Sequence, residues 1–240
     1  MLWLRMKKLI QIIIDPSLVS ALLKGVAAGM EHRPLLKNIK CEFIVDVGAN
    51  RGQFTLVARK HFPNAKIVSF EPLKEPAAIF RRLFLHDPQV VLHEIAIGPE
   101  EKEMAIHVSR QDDSSSLFPI TARQNLLFPG TAEKEVRTVQ VKPLDAVLSA
   151  LDIKSPALLK IDVQGFEREA LQGCKSLLNS FSYIYVECSF VELYAGQSLA
   201  YEVISFLSEF GLTLCGVYNL SYDKNGITIQ GDFLFEKRPT

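Results

Sequence analysis

Residues 43–52, FIVDVGANRG, constrain this chain more than any other stretch. Four apolar residues, Phe43, Ile44, Val45 and Val47, surround an acid, Asp46, and the run stops at Gly48. Ala49-Asn50-Arg51-Gly52 follows, and then a helix-like segment from Gln53 to Phe62. A short apolar run, a glycine turn and a helix start predict a buried parallel strand that feeds a helix N-terminus. The two glycines stand four apart, so this is not the G-x-G-x-x-G pattern that cradles a pyrophosphate. No Lys-Ser/Thr follows Gly52, which excludes a P-loop. Asp46 beside the turn would repel a pyrophosphate and so disfavours NAD. The loop suits a ligand that carries both a cation and polar groups, as S-adenosylmethionine (SAM) does. Taken alone it also fits an ordinary strand–turn–helix corner.

The remaining chain repeats the alternation. Lys66 to Glu71 reads as a second strand, 76–85 as a helix and Val90 to Ile95 as a third strand. This β-α-β-α-β order starts a doubly wound parallel sheet. Residues 99–142 break the rhythm. Met104–Val108 and Val136–Val141 alternate like strands, and a polar span with Asp112 to Ser116, Pro119, Pro129 and Gly130 lies between them. A loop of that length predicts an insertion over a functional site. Helix 144–151, strand Ala157 to Val163, helix 166–178, strand Tyr183 to Cys188 and helix 198–210 come next. Leu212 to Tyr218 and Ile227 to Glu236, joined through Asn225-Gly226, read as a closing hairpin. The expected fold is α/β, a mainly parallel, Rossmann-like sheet of seven strands.

Residues 41–240 would form that domain, preceded by a helical extension over 1–40. Its first segment, MLWLRMKKLIQIII, reads as an amphipathic helix packed on the domain, since the apolar stretch Leu9 to Ile14 is too short to span a bilayer. A second helix is expected after Asp15-Pro16, with Leu18, Val19, Leu22, Leu23 and Val26 on one face. Lys+Arg and Asp+Glu are both 27, which gives no electrostatic reason to propose a nucleic acid or an anionic membrane as partner. Cys41, Cys174, Cys188 and Cys215 form no C-x-x-C, which argues against zinc or a disulfide framework and suits the cytoplasm.

Every parallel strand ends in, or just before, an acid: Asp46, Glu71, Glu94, Asp162 and Glu187. Ligands of open α/β sheets bind at those ends, and clustered carboxylates do nothing for stability alone. Asp46, Gly48, Asn50 and Gly52 are therefore candidate cofactor ligands. Glu71 is placed to accept from ribose hydroxyls, while Glu94 and Ile95 would flank an adenine. Asp162 would accept from the ammonium of SAM or from an acceptor hydroxyl, and Asp162 and Glu187 are the candidate bases. No metal is assigned, because a hard cation needs several oxygens and the sequence assembles too few. The five histidines show no ligand spacing; His61 and His86 at helix ends read as structural, and His93 near the third strand end and His107 in the insertion fit either a structural place or a base.

Several segments together resemble the FkbM-type SAM-dependent methyltransferases: IVDVGANRGQF (44–54), SFEP (69–72), AIG (96–98), Ser114 to Leu117, VQVKPLD (139–145), LLKIDVQGFEREALQG (158–173), IYVECSFVELYAGQ (184–197) and GDFLFEK (231–237). The resemblance spans residues 41 to 237. It implies a class I methyltransferase fold, SAM as cofactor and O-methylation of a hydroxyl on a glycan or secondary metabolite. One departure is Gln164, where the family usually has an acid; an amide can only donate and accept hydrogen bonds. Asp112 to Ser116, with Ser115 and Ser116 foremost, and Tyr194 and Gln197 would shape the acceptor pocket. The expected partner is a small molecule or glycan, with no nucleic acid and no membrane; a homo-oligomer stays open. Two rival readings remain, an NAD-binding oxidoreductase and a non-catalytic SAM-binding or regulatory protein.

Overall fold

The computed structural model describes residues 16–237. The amphipathic helix expected within residues 1–14 lies outside the described residues. In chain order the strands are β1 (Phe43–Val47), β2 (Lys66–Phe70), β3 (Val90–His93), β4 (Ala96–Ile97), β5 (Lys102–Ser109), β6 (Glu133–Lys142), β7 (Ala157–Ile161), β8 (Tyr183–Ser189), β9 (Leu212–Tyr222) and β10 (Thr228–Lys237). The helices are α1 (Pro16–Leu23), α2 (Arg33–Leu36), α3 (Gln53–His61), α4 (Lys74–Leu83), α5 (Ala122–Leu127), α6 (Glu167–Gly173) and α7 (Ala200–Ser208).

Seven strands form one sheet in the order β3-β2-β1-β7-β8-β10-β9. The first five in that order run parallel, while β10 is antiparallel to both β8 and β9. β1 and β7 are buried along their whole length, as central strands covered on both faces must be. The two-residue period divides β1 between the faces. Phe43, Val45 and Val47 join the core beneath α6 and α7, with Leu159, Ile161, Leu171 and Leu207. Ile44 points the other way, toward Phe54, Val57 and Ala58 of α3. Asp46 shares the face of Ile44, so its carboxylate meets α3.

The chain before β1 is part of this second core. Leu35, Leu36 and Ile39 pack with Phe54 and Val57, and the Gly29 N–H donates to Gln53 O at 2.9 Å. Leu18 and Ala21 of α1 are buried but Leu22 and Leu23 are exposed, so the packed face of this helix is rotated from the one expected.

The break at 99–142 is a second, three-stranded sheet in the order β4-β6-β5. The polar span between β5 and β6 is ordered. Ser116 bridges His107, Ile120 bridges Tyr194, and the Thr121 hydroxyl caps α5 by accepting from Gln124 N. The helix expected at 144–151 is two 3-10 turns, Leu144–Ala146 and Ala150–Asp152. Asp152 Oδ2 accepts from Ser149 N at 2.8 Å, which starts a new turn where a continuous helix would have run. α6 ends at Gly173, earlier than expected, where a Cβ would lie 2.3 Å from Gly98 O.

Candidate active site

The carboxyl ends of β1, β2 and β7 open onto one cavity, roofed by the small sheet. Its floor is a close backbone approach. Gly48 has φ +77°, and a Cβ there would stand 1.8 Å from Asp162 O, so only glycine lets the β1 and β7 loops touch. Asn50 is also left-handed, at φ 46°. Its N–H donates to Glu71 Oε2 at 3.0 Å, and the Leu73 N–H donates to Glu71 Oε1 at 2.8 Å. The Glu71 carboxylate thereby joins the first loop to the second. Burial pushes its carboxyl up to about 7, in spite of those two backbone bonds.

Of the residues expected to hold the cofactor, Gly48, Asn50, Glu71, Ile95 and Asp162 line the cavity. Asp46 and Gly52 do not. Asp46 is fully buried below the floor, where the Thr55 hydroxyl donates to it at 2.7 Å and the Lys160 ammonium stands 3.1 Å away. Lys160 also donates to Gly48 O at 3.0 Å. Asp46 therefore reaches the cavity through Lys160, which lines it. Burial by itself would push the Lys160 ammonium down; the charges of Asp46 and Asp162 outweigh it and the net shift is upward. Gly52 caps α3 at φ +92° and its Cα faces the rings of Phe84 and Phe80.

Glu94 is corrected outright. It makes an ion pair with Arg81 at the surface, because side chains alternate across an extended segment and Ile95 takes the inward place. Ile95 belongs to an apolar wall with Phe70, Ile97, Leu117 and Phe166.

Ser115 and Ser116 line the cavity from the roof, but their hydroxyls accept from Ser109 N and Phe118 N and so hold the loop. Asp112 and Asp113 line it too. Burial, then the charges of Asp112 and Asp162, raise the Asp113 carboxyl. Arg51 binds Asp112 Oδ2 through Nε at 3.0 Å and Nη2 at 2.7 Å, which ties the roof to the first loop.

Gln164, left-handed at φ 56°, lines the cavity beside Asp162. Its amide donates to Asp162 Oδ1 at 2.7 Å and to Glu187 Oε2 at 2.9 Å, and its carbonyl accepts from the Tyr194 hydroxyl at 2.8 Å. Glu187 therefore sits behind Gln164, where it also accepts from Gln230 Nε2 at 2.7 Å, and does not line the cavity. Burial, then Asp162, Asp232 and Glu167, push its carboxyl well above the usual range. Tyr194 is buried against Gly165 and touches the cavity only through Gln164. Gln197 braces the loop behind, accepting from Leu193 N at 2.9 Å and donating to Ser189 Oγ at 2.9 Å. Neither lines the cavity.

Asp162, Glu167 and Glu187 each bring one oxygen within 4.8 Å of the others. Glu167 Oε1 accepts from Val163 N at 3.1 Å and Gly165 N at 3.0 Å, and burial pushes this carboxyl up to about 7. The neutral Gln164 amide bridges the other two acids. The cluster thus shares hydrogen bonds rather than bare charge.

A seven-stranded sheet in this order, with its cavity at the carboxyl ends of the parallel strands, is the Rossmann-like fold of class I methyltransferases. Residues 46–214 match the methyltransferase FkbM domain, and the chain belongs to that family. It is 27% identical over 177 residues to the 2-O-methyltransferase NoeI of Sinorhizobium fredii, which covers 70% of this chain and 72% of that protein. It is 29% identical over 143 residues to Methyltransferase 1 of Beauveria bassiana, covering 55% of this chain and 57% of that one. Among solved structures, an uncharacterized protein from Listeria monocytogenes serotype 4b superposes with a TM-score of 0.50 at 9% identity, over 87% of this chain and 67% of that one.

Proposed function

We propose that this protein is a SAM-dependent O-methyltransferase that acts in the cytoplasm on a hydroxyl of a small molecule or glycan. The observation that carries the reading is Glu71, a buried carboxylate fixed by two backbone N–H groups at the end of β2 and facing the cavity. Each of its oxygens keeps a lone pair for a ribose hydroxyl. The apolar wall around Ile95, Ile97 and Phe166 offers faces for an adenine. Asp113 and Asp162 supply acceptors for an ammonium. The donor set thus fits SAM group by group.

Bound SAM supplies a methyl already activated by its sulfonium. The protein's part is alignment and the exclusion of water. The small sheet roofs the cavity, and the Arg51–Asp112 pair holds the roof down. The name of the Sinorhizobium relative supports an oxygen acceptor. Among the described residues no helix is long and apolar enough to cross a membrane.

Calorimetry with SAM, S-adenosylhomocysteine (SAH) and NAD tests the reading. Binding of SAM and SAH without NAD is the expected result; no heat from SAM would overturn it. Glu71→Ala should weaken SAM at least about tenfold, since hydrogen bonds to a charged group are worth about 1.5–3 kcal/mol. Glu71→Gln, which keeps the volume, should do the same, and unchanged affinity in both would remove Glu71 from the ribose site.

A further inference from the structure

We propose that His32 is the general base of this site and that its Nε2 takes the proton of the acceptor hydroxyl. The proposal rests on the methyl-transfer reading above. His32 and its partner Asp232 both lie outside residues 46–214, so the family match assigns them nothing.

His32 belongs to the short turn Met30–His32, docked on the start of α3 through Gly29 and Gln53. Its ring lines the same cavity as Lys160, Asp162 and Gln164. Two aromatic rings fix its plane: Phe54 edge-on at 5.2 Å between centroids and Tyr185 at 5.6 Å. The position is therefore set by packing as well as by polar bonds.

The hydrogen bonds then choose the tautomer. The Tyr185 hydroxyl donates to Asp232 Oδ2 at 2.8 Å and accepts from Asn219 Nδ2 at 3.3 Å, which leaves its oxygen one more lone pair. His32 Nδ1 lies 3.1 Å from that oxygen and, with the hydroxyl proton turned to Asp232, is the donor of this contact. Asp232 Oδ2, at 3.6 Å from Nδ1, favours a proton there as well. Asn219 Nδ2 donates to the same carboxylate at 2.7 Å and stands farther from Nδ1, at 3.4 Å. With the proton on Nδ1, Nε2 holds the lone pair, and no described residue makes a hydrogen bond to it. A base oriented through its other nitrogen by a buried acid is the arrangement that hydroxyl activation needs.

The other acids of the site are worse placed. Glu71 has each oxygen on a backbone N–H, Glu187 lies behind Gln164, and Asp162 has one oxygen on Gln164 and the other 4.0 Å from Lys160. As the acceptor oxygen bonds to the methyl carbon, the S–C electron pair goes to sulfur and the hydroxyl proton passes to Nε2. Asp232, through Tyr185, then faces a full positive charge.

Two-dimensional NMR of the whole chain with 15N-labelled histidine tests this, with His32→Gln supplying the assignment. The neutral ring should show the Nδ1–H tautomer. With a panel of monosaccharides, His32→Gln should keep SAM affinity within about threefold and lose at least about 100-fold in kcat. The Nε2–H tautomer or a wild-type kcat would each overturn the assignment while SAM binding stands. Failure of both SAM and SAH to bind would remove the methyl-transfer reading and the base together.

Discussion

Lys160→Met is expected to lower the stability of the folded protein by about 3–5 kcal/mol. Lys160 has 4% of its surface exposed and Asp46 none. The methionine would leave the Asp46 carboxylate with a single recorded donor, the Thr55 hydroxyl, in a place no water reaches. It would also strip the Gly48 carbonyl of its ammonium partner at the cavity floor. A buried charge without its counter-ion costs far more than the pair is worth intact. The paired replacement Asp46→Leu/Lys160→Met should therefore recover part of the loss, a coupling that a double-mutant cycle in urea reads directly. A single-variant loss below about 1 kcal/mol would mean that the pair is screened as a surface pair is.

The ligand-free protein should be more stable at pH 5 than at pH 7.5. Burial pushes both Glu71 and Glu167 from an ordinary 4.5 up to about 7. Below about 4.5 each group is protonated in the folded and the unfolded chain, so burial costs nothing through ionisation. Between about 4.5 and 7 the unfolded chain releases protons that the folded chain keeps, and stability falls. Once both are ionised in the folded state, each has cost up to about 3 kcal/mol. Glu187 and Asp232 are raised too and act in the same direction. His93, lowered by burial, is a single half-buried group that pulls the other way within this window; Glu75, Glu135, Asp152 and Asp223 are lowered, by hydrogen bonds first of all, and do so only as pH falls through their depressed values. Solvent screens these exposed groups, and their effect is small. Urea unfolding at the two pH values measures the difference, and equal or greater stability at pH 7.5 would contradict it.

The parts of this protein legible in its sequence are those whose physics is local. β1 and its loop show themselves in an apolar run that ends on glycine. Glu71 is legible because the turn after β2 leaves one side chain facing the cavity. Glu94 misleads for the same reason in reverse: its position at a strand end is right, but its parity along the strand turns it outward to Arg81. Glu187 fails because a side chain from another loop, Gln164, stands in front of it. The turns at 144–152 fail because Ser149 and Asp152 compete locally with a helix that the apolar spacing favours.

His32 is the hardest case. Its partners Tyr185, Asn219 and Asp232 come from β8, β9 and β10, far along the chain, and nothing around residue 32 announces them. One signal was available: Asp232 is an acid inside the otherwise apolar GDFLF strand, and a buried acid requires a donor. The same reasoning applied to Asp46 would have pointed to a cation beneath the loop rather than to a cofactor contact.

The backbone contact between Gly48 and Asp162 has a thermodynamic meaning. Its two halves sit on either side of the small sheet in the chain, and neither holds a ligand alone. A partly folded chain that has completed β1, β2 and β3 carries the whole glycine signature yet lacks the Lys160 and Asp162 that finish the floor. A complete cavity therefore needs both halves of the floor, and the glycine loop alone does not make one. A ligand that binds there and not to the unfolded chain is linked to the global equilibrium, and it raises the resistance of the fold to unfolding as its free concentration climbs above its Kd.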